Sequence, residues 1–138
     1  MQVYNNYEDS VYNLHNGVYG LSNARLNSPW PKLDLGRSKL AKYCQQGGVF
    51  NIEHLFNLLH DDTQAQDEVL PQTGVPIEWE RKLSSIFIAS EDYGTRSSTV
   101  LLLDNYRQIF WQERSFKQQA VIIDQQSYHF RLDAQNDA

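Results

Sequence analysis

The chain has 138 residues, 41% of them hydrophobic and 21% charged, proportions typical of one globular domain or part of one. Its formal net charge of −5 argues against a nucleic-acid-binding surface, which normally needs a basic footprint. No apolar run approaches the roughly 18 residues of a membrane span, and we expect no signal peptide, because no basic and apolar segments open the chain. Cys44 is the only cysteine, so no internal disulfide is possible and we expect a reducing, cytoplasmic setting.

The first part of the chain predicts three short strands. Residues 3–7 and 10–14 are rich in strand-forming residues and are separated by a polar turn. Asn16-Gly17 is typical of a type I′ turn, and residues 18–23 then predict a third strand. Gly20 within that strand indicates either a bulge or a close approach of another part of the chain.

An irregular segment and a helix are predicted next. Trp30 lies between two prolines that exclude regular structure, and we expect its ring to anchor this loop rather than to stack on a ligand. Residues 36–45 contain good helix formers, and Gly47-Gly48 ends the helix that they predict. Cys44 lies on its apolar face and is therefore expected to be an inert, buried thiol.

Two more helices are predicted in the middle of the chain. Asn51 can cap a helix whose apolar residues have the spacing of one buried stripe, namely Ile52, Leu55, Phe56 and Leu59. Pro76 suits the first turn of the next helix, whose charged residues, including Glu80, we expect to stay exposed to water. Residues 84–88 either extend this helix or form a strand, and their periodicity leaves both alternatives open.

Residues 93–104 contain the most informative pattern. Arg96 precedes small hydroxyl residues, and residues 100–103 are a continuous apolar run that predicts a buried strand. A cation fixed at the edge of a core is what a site for an anionic or carbonyl ligand needs. The alternative is that Arg96 only tethers a loop through hydrogen bonds to backbone carbonyls.

The last part of the chain predicts further antiparallel strands. Residues 108–114 are expected to pair with the strand before them, and residues 121–123 and 128–132 are expected to form a hairpin around a polar turn. Residues 133–138 predict a frayed tail. Strands, then helices, then strands predict an α+β fold.

The usual catalytic and metal-binding motifs do not occur in the sequence. It contains neither a phosphate-binding glycine loop with its lysine nor a GxSxG nucleophile elbow. Cys44 with His54 or His129 is a poor nucleophile–base pair, because a thiol in the middle of an amphipathic helix is not activated. His54 and His60 lack the spacing of metal ligands, so surface histidines are the simpler interpretation.

Three segments of the chain carry a family resemblance. They are GVYGLSNA with SPWPK (residues 17–24 and 28–32), LPQTGV with EWERKLSSIFI (70–75 and 78–88), and YGTRSSTV with ERSF (93–100 and 113–116). In this order and spacing they resemble the C-terminal half of the NRDE family, also called the transport and Golgi organisation protein 2 family. The resemblance extends over about residues 3 to 116.

The resemblance implies a fold and an incomplete chain. Members are similar to N-terminal-nucleophile hydrolases, whose αββα sandwich combines antiparallel strands with helices, here two or three. Family members carry a cysteine after the initiator methionine and an Asn-Arg-Asp-Glu motif, whereas here Met1 is followed by Gln2 and the motif does not occur. We therefore expect residues 1–138 to be a single domain from the C-terminal portion of such a protein, without the nucleophile half.

The resemblance also implies a site, although it assigns no certain catalytic residue. By similarity to cysteine hydrolases of the same fold, Asn23 and Arg96 are candidates to bind an oxyanion or orient a nucleophile, and we expect them to line one pocket. The predicted ligand-binding set is Asn23, Trp30, Arg96, Ser97 and Ser98. No metal site is predicted, and haem is a cofactor suggested by the family resemblance alone.

Three functions remain open at this point. The first is non-catalytic binding or trafficking of a small hydrophobic or anionic molecule, haem or lipid-related. The second is the C-terminal half of a cysteine amidohydrolase acting on non-peptide C–N bonds, and the third is an interaction domain whose motifs serve packing. The expected partners are a small-molecule ligand and either the missing N-terminal half or further copies of the chain, with no nucleic acid and no membrane span.

Overall fold

Strands and helices occur in separate runs along the chain. The computed structural model describes residues 1–133, so most of the predicted frayed tail lies outside the described residues. The elements follow in the order β1 (Gln2–Asn5), β2 (Ser10–Asn13), α1 (Pro31–Gln45), α2 (Ile52–Leu59), α3 (Ile77–Leu83), β3 (Ser97–Leu103), β4 (Gln108–Phe116) and β5 (Ile122–Arg131). All strand pairs are antiparallel, which confirms the predicted α+β class.

The elements belong to two compact units. Unit 1 comprises residues 1–50 and 58–87, and holds the β1–β2 hairpin, α1 and α3. Unit 2 comprises residues 51–57 and 88–133 of the described chain, and holds most of α2 and the sheet with strand order β3-β4-β5. Within residues 1–133, every helix is too short or too polar to cross a membrane.

The predicted N-terminal hairpin is confirmed. β1 and β2 pair with Val3 opposite Tyr12. Asn5 is buried at the end of β1, where its side-chain oxygen accepts a hydrogen bond from the Tyr7 N–H at 2.8 Å and its amide donates to the Ala24 carbonyl at 2.9 Å. A buried amide whose donor and acceptor are both satisfied fixes the turn and the loop that follows β2.

Residues 18–23 form a loop, so the predicted third strand is wrong. Neither Asn16 nor Gly17 has a positive φ, so the predicted type I′ turn is absent as well. The Gly20 carbonyl accepts a hydrogen bond from the Asn27 N–H at 2.8 Å, and the Gly20 N–H donates to Asn27 Oδ1 at 2.9 Å. The loop therefore closes on itself and uses the backbone groups that a sheet partner would need.

Gly20 is a point of close approach between this loop and α1. A Cβ atom at Gly20 would lie 2.5 Å from Leu33 Cγ and 2.9 Å from Arg37 Cδ. Both separations are well inside van der Waals contact, so a side chain at this position would displace its neighbours on α1. Of the two alternatives for Gly20, the close approach is confirmed and the bulge is not present.

α1 begins earlier than predicted. Pro31 occupies its first turn, where the missing N–H costs nothing and the ring fixes a helical φ. The predicted stop is confirmed, since Gly47 and Gly48 have φ angles of 67° and 93°. Cys44, however, is exposed, and α1 contains no buried residue. The prediction that Cys44 is buried is wrong, because charged residues occur along α1 and interrupt its apolar face.

α2 follows its predicted pattern. Asn51 Oδ1 accepts a hydrogen bond from the His54 N–H at 2.9 Å, which confirms the predicted N-cap. Leu55 and Phe56 are buried, and the outer two members of the apolar stripe are half-buried. The helical period therefore identified the buried face of α2, with its centre at these two residues.

α3 buries a carboxylate that the sequence pattern leaves exposed. Glu80 is only 6% exposed, and its Oε1 accepts hydrogen bonds from both the N–H and the hydroxyl of Thr73, each at 2.7 Å. The prediction that Glu80 stays exposed is wrong, because this contact holds the preceding loop over the helix. A carboxylate that accepts two hydrogen bonds can be buried at a much lower cost than an isolated one.

Residues 84–88 form a turn and bends, so neither alternative left open for them is present. The Phe87 side chain is 1% exposed, and its N–H donates to the Asp61 carbonyl at 2.8 Å. The Ser85 hydroxyl donates to the Phe87 carbonyl at 2.8 Å. These bonds use both backbone groups of Phe87, which a helix or a strand ladder would otherwise have needed.

β3, β4 and β5 form a continuous antiparallel sheet. The predicted pairing of β4 with β3 is confirmed, with Val100 opposite Gln112. The predicted C-terminal hairpin is wrong, because residues 122–131 are a single strand paired along β4. The polar residues that were predicted to form the turn are part of this strand, and one of them, Gln125, accepts a hydrogen bond from Arg114 Nε at 2.9 Å across the ladder. An exposed edge strand accommodates such polar residues readily.

The sheet has two different faces. The inner face holds Val100, which is 7% exposed, and Arg114, whose guanidinium lies 4.0 Å from the Phe56 ring of α2 and pairs with the Glu53 carboxylate. The outer face holds Leu101 and its neighbours across the sheet. The prediction that residues 100–103 are all buried is therefore wrong, because alternate residues of β3 point to the exposed face.

We expect Gly20→Ala to lower the free energy of unfolding by about 1–3 kcal/mol, because the added methyl group overlaps Leu33. Gly36→Ala is the matched control. Its Cβ would lie 3.5 Å from Ile86 Cδ1, an ordinary contact, and replacing a glycine inside α1 should add about 0.5–1 kcal/mol. Urea unfolding measures both changes, and effects of the same sign would contradict the close approach at Gly20.

We expect Thr73→Val to lower the free energy of unfolding by about 1–3 kcal/mol, because it removes one of two hydrogen bonds to a buried carboxylate. Thr63→Val replaces an exposed threonine of the same unit and should change stability by less than about 0.5 kcal/mol. Thermal and urea unfolding of both variants provide the comparison. If the two substitutions have equal effects, the Thr73–Glu80 contact does not stabilise unit 1.

Candidate functional site

The loop before β3 is held in one conformation by its own hydrogen bonds. The Thr95 N–H donates to the Ile88 carbonyl at 2.8 Å, and the Thr95 hydroxyl oxygen accepts from the Ile88 N–H at 2.9 Å. Gly94 fits against the same carbonyl, since a Cβ there would lie 2.9 Å from the Ile88 oxygen. These contacts fix the backbone from which Arg96 projects, so the position of Arg96 does not depend on a flexible loop.

The connection between β4 and β5 forms the other side of the site. The Phe116 N–H donates to the Arg96 carbonyl at 2.8 Å, which extends the strand ladder by one residue and brings Lys117 next to Arg96 in the fold. Gln119 and Ala120 have φ angles of 60° and 61°, in the left-handed region that non-glycine residues seldom adopt. The Lys117 N–H donates to the Val121 carbonyl at 3.0 Å and closes this turn.

Between these two loops lies a pocket of about 210 Å³. Its lining residues are Ile88, Asp92, Tyr93, Gly94, Thr95, Arg96, Lys117, Gln118, Gln119 and Ala120. Two cations, Arg96 and Lys117, and one carboxylate, Asp92, therefore line one small pocket, so cations are in excess. Within residues 1–133, the Arg96 guanidinium makes neither a hydrogen bond nor a salt bridge, and it is exposed to solvent. Its side chain is therefore available to an anionic ligand, whereas a loop-tethering role would have used its donors.

The two predicted serines lie next to this pocket but do not line it. Ser97 is exposed and pairs with Ser115, and Ser98 is half-buried and pairs with Arg114. They belong to the first two positions of β3 and point to opposite faces of the sheet. Lys117 was not predicted, because its position follows from strand pairing and no local motif around it signals a site.

Asn23 and Trp30 belong to unit 1, whereas Arg96 belongs to unit 2. Asn23 is exposed in the loop that follows β2, between the bridged residues Leu21 and Leu26. That Asn23 and Arg96 share a pocket stays a prediction.

Trp30 lies at the start of α1, where its carbonyl accepts hydrogen bonds from the N–H groups of Leu33 and Asp34 at 2.9 and 3.0 Å. Its ring is half-buried, with the Lys32 ammonium 5.8 Å from the ring centroid. Burial lowers the pKa of Lys32, whose Nζ donates to the Leu83 carbonyl at 2.9 Å. These contacts fit the predicted role of Trp30 as an anchor for its loop.

Comparison with known proteins gives the same family as the three sequence segments. A family model described as Transport and Golgi organisation 2 matches residues 1–118. The chain is 33% identical over 108 residues to the Transport and Golgi organization protein 2 homolog of Bos taurus, and 28% identical over 106 residues to the Transport and Golgi organization 2 homolog of Mus musculus. The homolog of Homo sapiens is 27% identical over 106 residues.

These alignments each cover 72% of this chain and 38% of the relative. The chain thus spans well under half the length of the curated relatives that it matches. Residues 1–118, which the family model matches, contain Arg96 and Lys117, together with Ile88 and Thr95, which hold the loop before β3 in place. Since the family model covers most of the sequence, the chain belongs to the Transport and Golgi organisation 2 family.

Proposed function

We propose that this chain binds the anionic group of a small molecule in the pocket between Arg96 and Lys117. The observation that carries the proposal is the exposed Arg96 guanidinium, which has no partner within residues 1–133 although its backbone is fixed on both sides. A guanidinium presents several N–H donors in a planar fork that matches a carboxylate or a phosphate. Lys117 adds a second positive charge at the same pocket.

The size of the pocket limits what it can hold. Its volume of about 210 Å³ is below the range of about 300–1,000 Å³ that encloses a whole drug-sized ligand. The pocket therefore suits the charged end of a molecule whose remainder lies outside it. Haem and fatty acyl-CoA both combine an anionic group with a large hydrophobic part, and they are the two ligand classes that we propose.

The names of the relatives refer to transport and Golgi organisation. A protein that holds a hydrophobic molecule by its anionic end would suit transport, since the ligand is released without any covalent change. We therefore propose binding or trafficking, rather than catalysis, as the role of this chain. In an amide-hydrolysing protein Arg96 would have the same task of binding a carboxylate. Hydrolysis would then be seen as ligand cleavage in addition to binding.

We also propose that the β3–β4–β5 sheet is one layer of an αββα sandwich. Two observations support this arrangement: α2 contacts the inner face through Phe56, and the outer face carries exposed apolar side chains. In a sandwich of this kind a sheet packs helices on one face and a second sheet on the other.

Titration with haemin and with palmitoyl-CoA tests the anion site, with tryptophan fluorescence as the signal from which each dissociation constant is measured. We expect Arg96→Gln to weaken binding about tenfold or more, because a charged hydrogen bond of roughly 1.5–3 kcal/mol is lost. Lys117→Gln should weaken it less, since an ammonium is a point charge without the bidentate geometry.

Arg131→Gln is the matched control, since Arg131 is an exposed arginine on β5 that does not line the pocket. It removes the same charge from the same unit and should leave both affinities within about twofold, because exposed charges act weakly at a distance. Equal losses for Arg96→Gln and Arg131→Gln would show a general charge effect and contradict a site at Arg96. Release of palmitate together with the free thiol of CoA during the palmitoyl-CoA titration would instead indicate hydrolysis, in this case of a thioester.

A further inference from the structure

The outer face of the β3–β4–β5 sheet carries an apolar patch that the anion site does not use. Six side chains form two rows across the three strands, namely Leu101, Trp111 and Tyr128 in one row and Leu103, Ile109 and Phe130 in the other. Both β3 leucines are 58% exposed and the two β5 aromatics are 54% and 49% exposed, whereas the two β4 residues between them are half-buried. Apolar side chains that are contiguous and exposed in this way mark an interaction surface.

Opposite charges flank the patch along the strands. Glu113 lies on the outer face beyond the Trp111 row, and its carboxylate accepts a hydrogen bond from the Thr99 hydroxyl at 2.6 Å. Arg107 directly precedes β4 at the opposite end and is exposed, with one guanidinium N–H donating to the Asp133 carbonyl and its other donors open to a partner. Asp104 lies near Arg107, but its carboxylate oxygen accepts two hydrogen bonds from backbone N–H groups of the β3–β4 turn, both at 2.8 Å.

We propose that a second copy of this chain covers the outer face, with the two sheets stacked about a two-fold axis that crosses the strands between the two rows. Such an axis exchanges the rows, so Trp111 of one copy lies over Ile109 of the other. On β4 a large side chain then faces a smaller one, which favours close packing of the two faces, while on the outer strands the facing side chains are similar in size. The same axis brings Glu113 of each copy over Arg107 of the other.

This arrangement makes the patch complementary to itself in both shape and charge. A two-fold interface uses the same surface on both subunits, so each favourable contact occurs twice. A second copy matches the apolar rows and also brings the opposite charges together, which an unrelated apolar partner would not do. Glu113 and Arg107 are each three residues from Phe110, which lies between the two rows, in opposite directions along the chain.

The size of the face sets the expected affinity. Three strands about 4.8 Å apart, over six residues of about 3.4 Å each, give a face of roughly 15 Å by 20 Å. That area is well below the approximately 800 Å² per partner of a standard interface. We therefore expect a weak dimer, with a dissociation constant in the micromolar range or above, that is further weakened by salt.

Sedimentation equilibrium of the full chain over a wide concentration range tests the dimer. We expect Leu103→Lys to weaken dimerisation about tenfold or more, because it places a charge within the apolar rows. Ser127→Lys is the matched control: it adds the same charge at an exposed position of β5, paired with Gln112 on the inner face. It should leave the dissociation constant within about twofold.

A charge exchange distinguishes this geometry from other associations. Arg107→Glu and Glu113→Lys should each weaken the dimer about fivefold or more, and the combined variant should restore it. Circular dichroism verifies that each variant is folded. A monomer at every concentration overturns the proposal and leaves the face to another occupant. A dimer that Leu103→Lys does not weaken also overturns it. The same holds if the combined Arg107→Glu and Glu113→Lys variant dimerises as weakly as the single variants. Anion binding should be unchanged by Leu103→Lys, so the two proposals can fail separately.

Discussion

The hydrogen-bonded ladder between β3 and β4 is the constraint on which the candidate site depends. It continues beyond β3 to Arg96, whose carbonyl accepts from the Phe116 N–H at 2.8 Å. This single bond fixes the backbone of Arg96 beside Lys117, although the two residues are far apart in the sequence. Because the register of the whole strand pair determines that bond, the placement of Arg96 beside Lys117 follows from strand pairing, while the hydrogen bonds of each loop shape the rest of the pocket.

Several residues of the family segments have a structural task that the contacts identify. Gly20 allows its loop to approach α1, and Thr73 holds its loop over α3 through the buried Glu80 carboxylate. Thr95 fixes the loop before β3 through both backbone groups of Ile88. Arg96 differs from these residues, since its side chain bonds to no other group within residues 1–133. That contrast favours a ligand-binding role at Arg96 over a packing role.

The two faces of the sheet show how strand alternation distributes an apolar sequence. Val100 enters the core, where Arg114 contacts the Phe56 ring, whereas Leu101 and Leu103 point to the exposed face. An exposed apolar face is unfavourable for an isolated sheet, because the hydrophobic effect favours any partner that removes it from water. In the proposed dimer the sheet of the second copy is the second β layer of the proposed sandwich, so the two proposals give this face the same occupant.

The sequence alone determined the features that depend on local chemistry. The helical spacing around Leu55 identified a buried stripe, Asn51 supplied a cap, and three short segments identified the family. The apolar run at residues 100–103 identified a strand, and Arg96 was selected as a candidate site residue from its own neighbourhood.

Only the tertiary structure decided which partners these elements find. Glu80 is buried because Thr73, in the loop before α3, folds back and donates to it, and residues 122–131 stay in one strand because β4 pairs along their whole length. Lys117 joins Arg96 through a ladder bond that no local pattern encodes. The reason is physical: helical period and capping act within a few residues of the chain, whereas burial and strand register depend on groups that are remote in sequence.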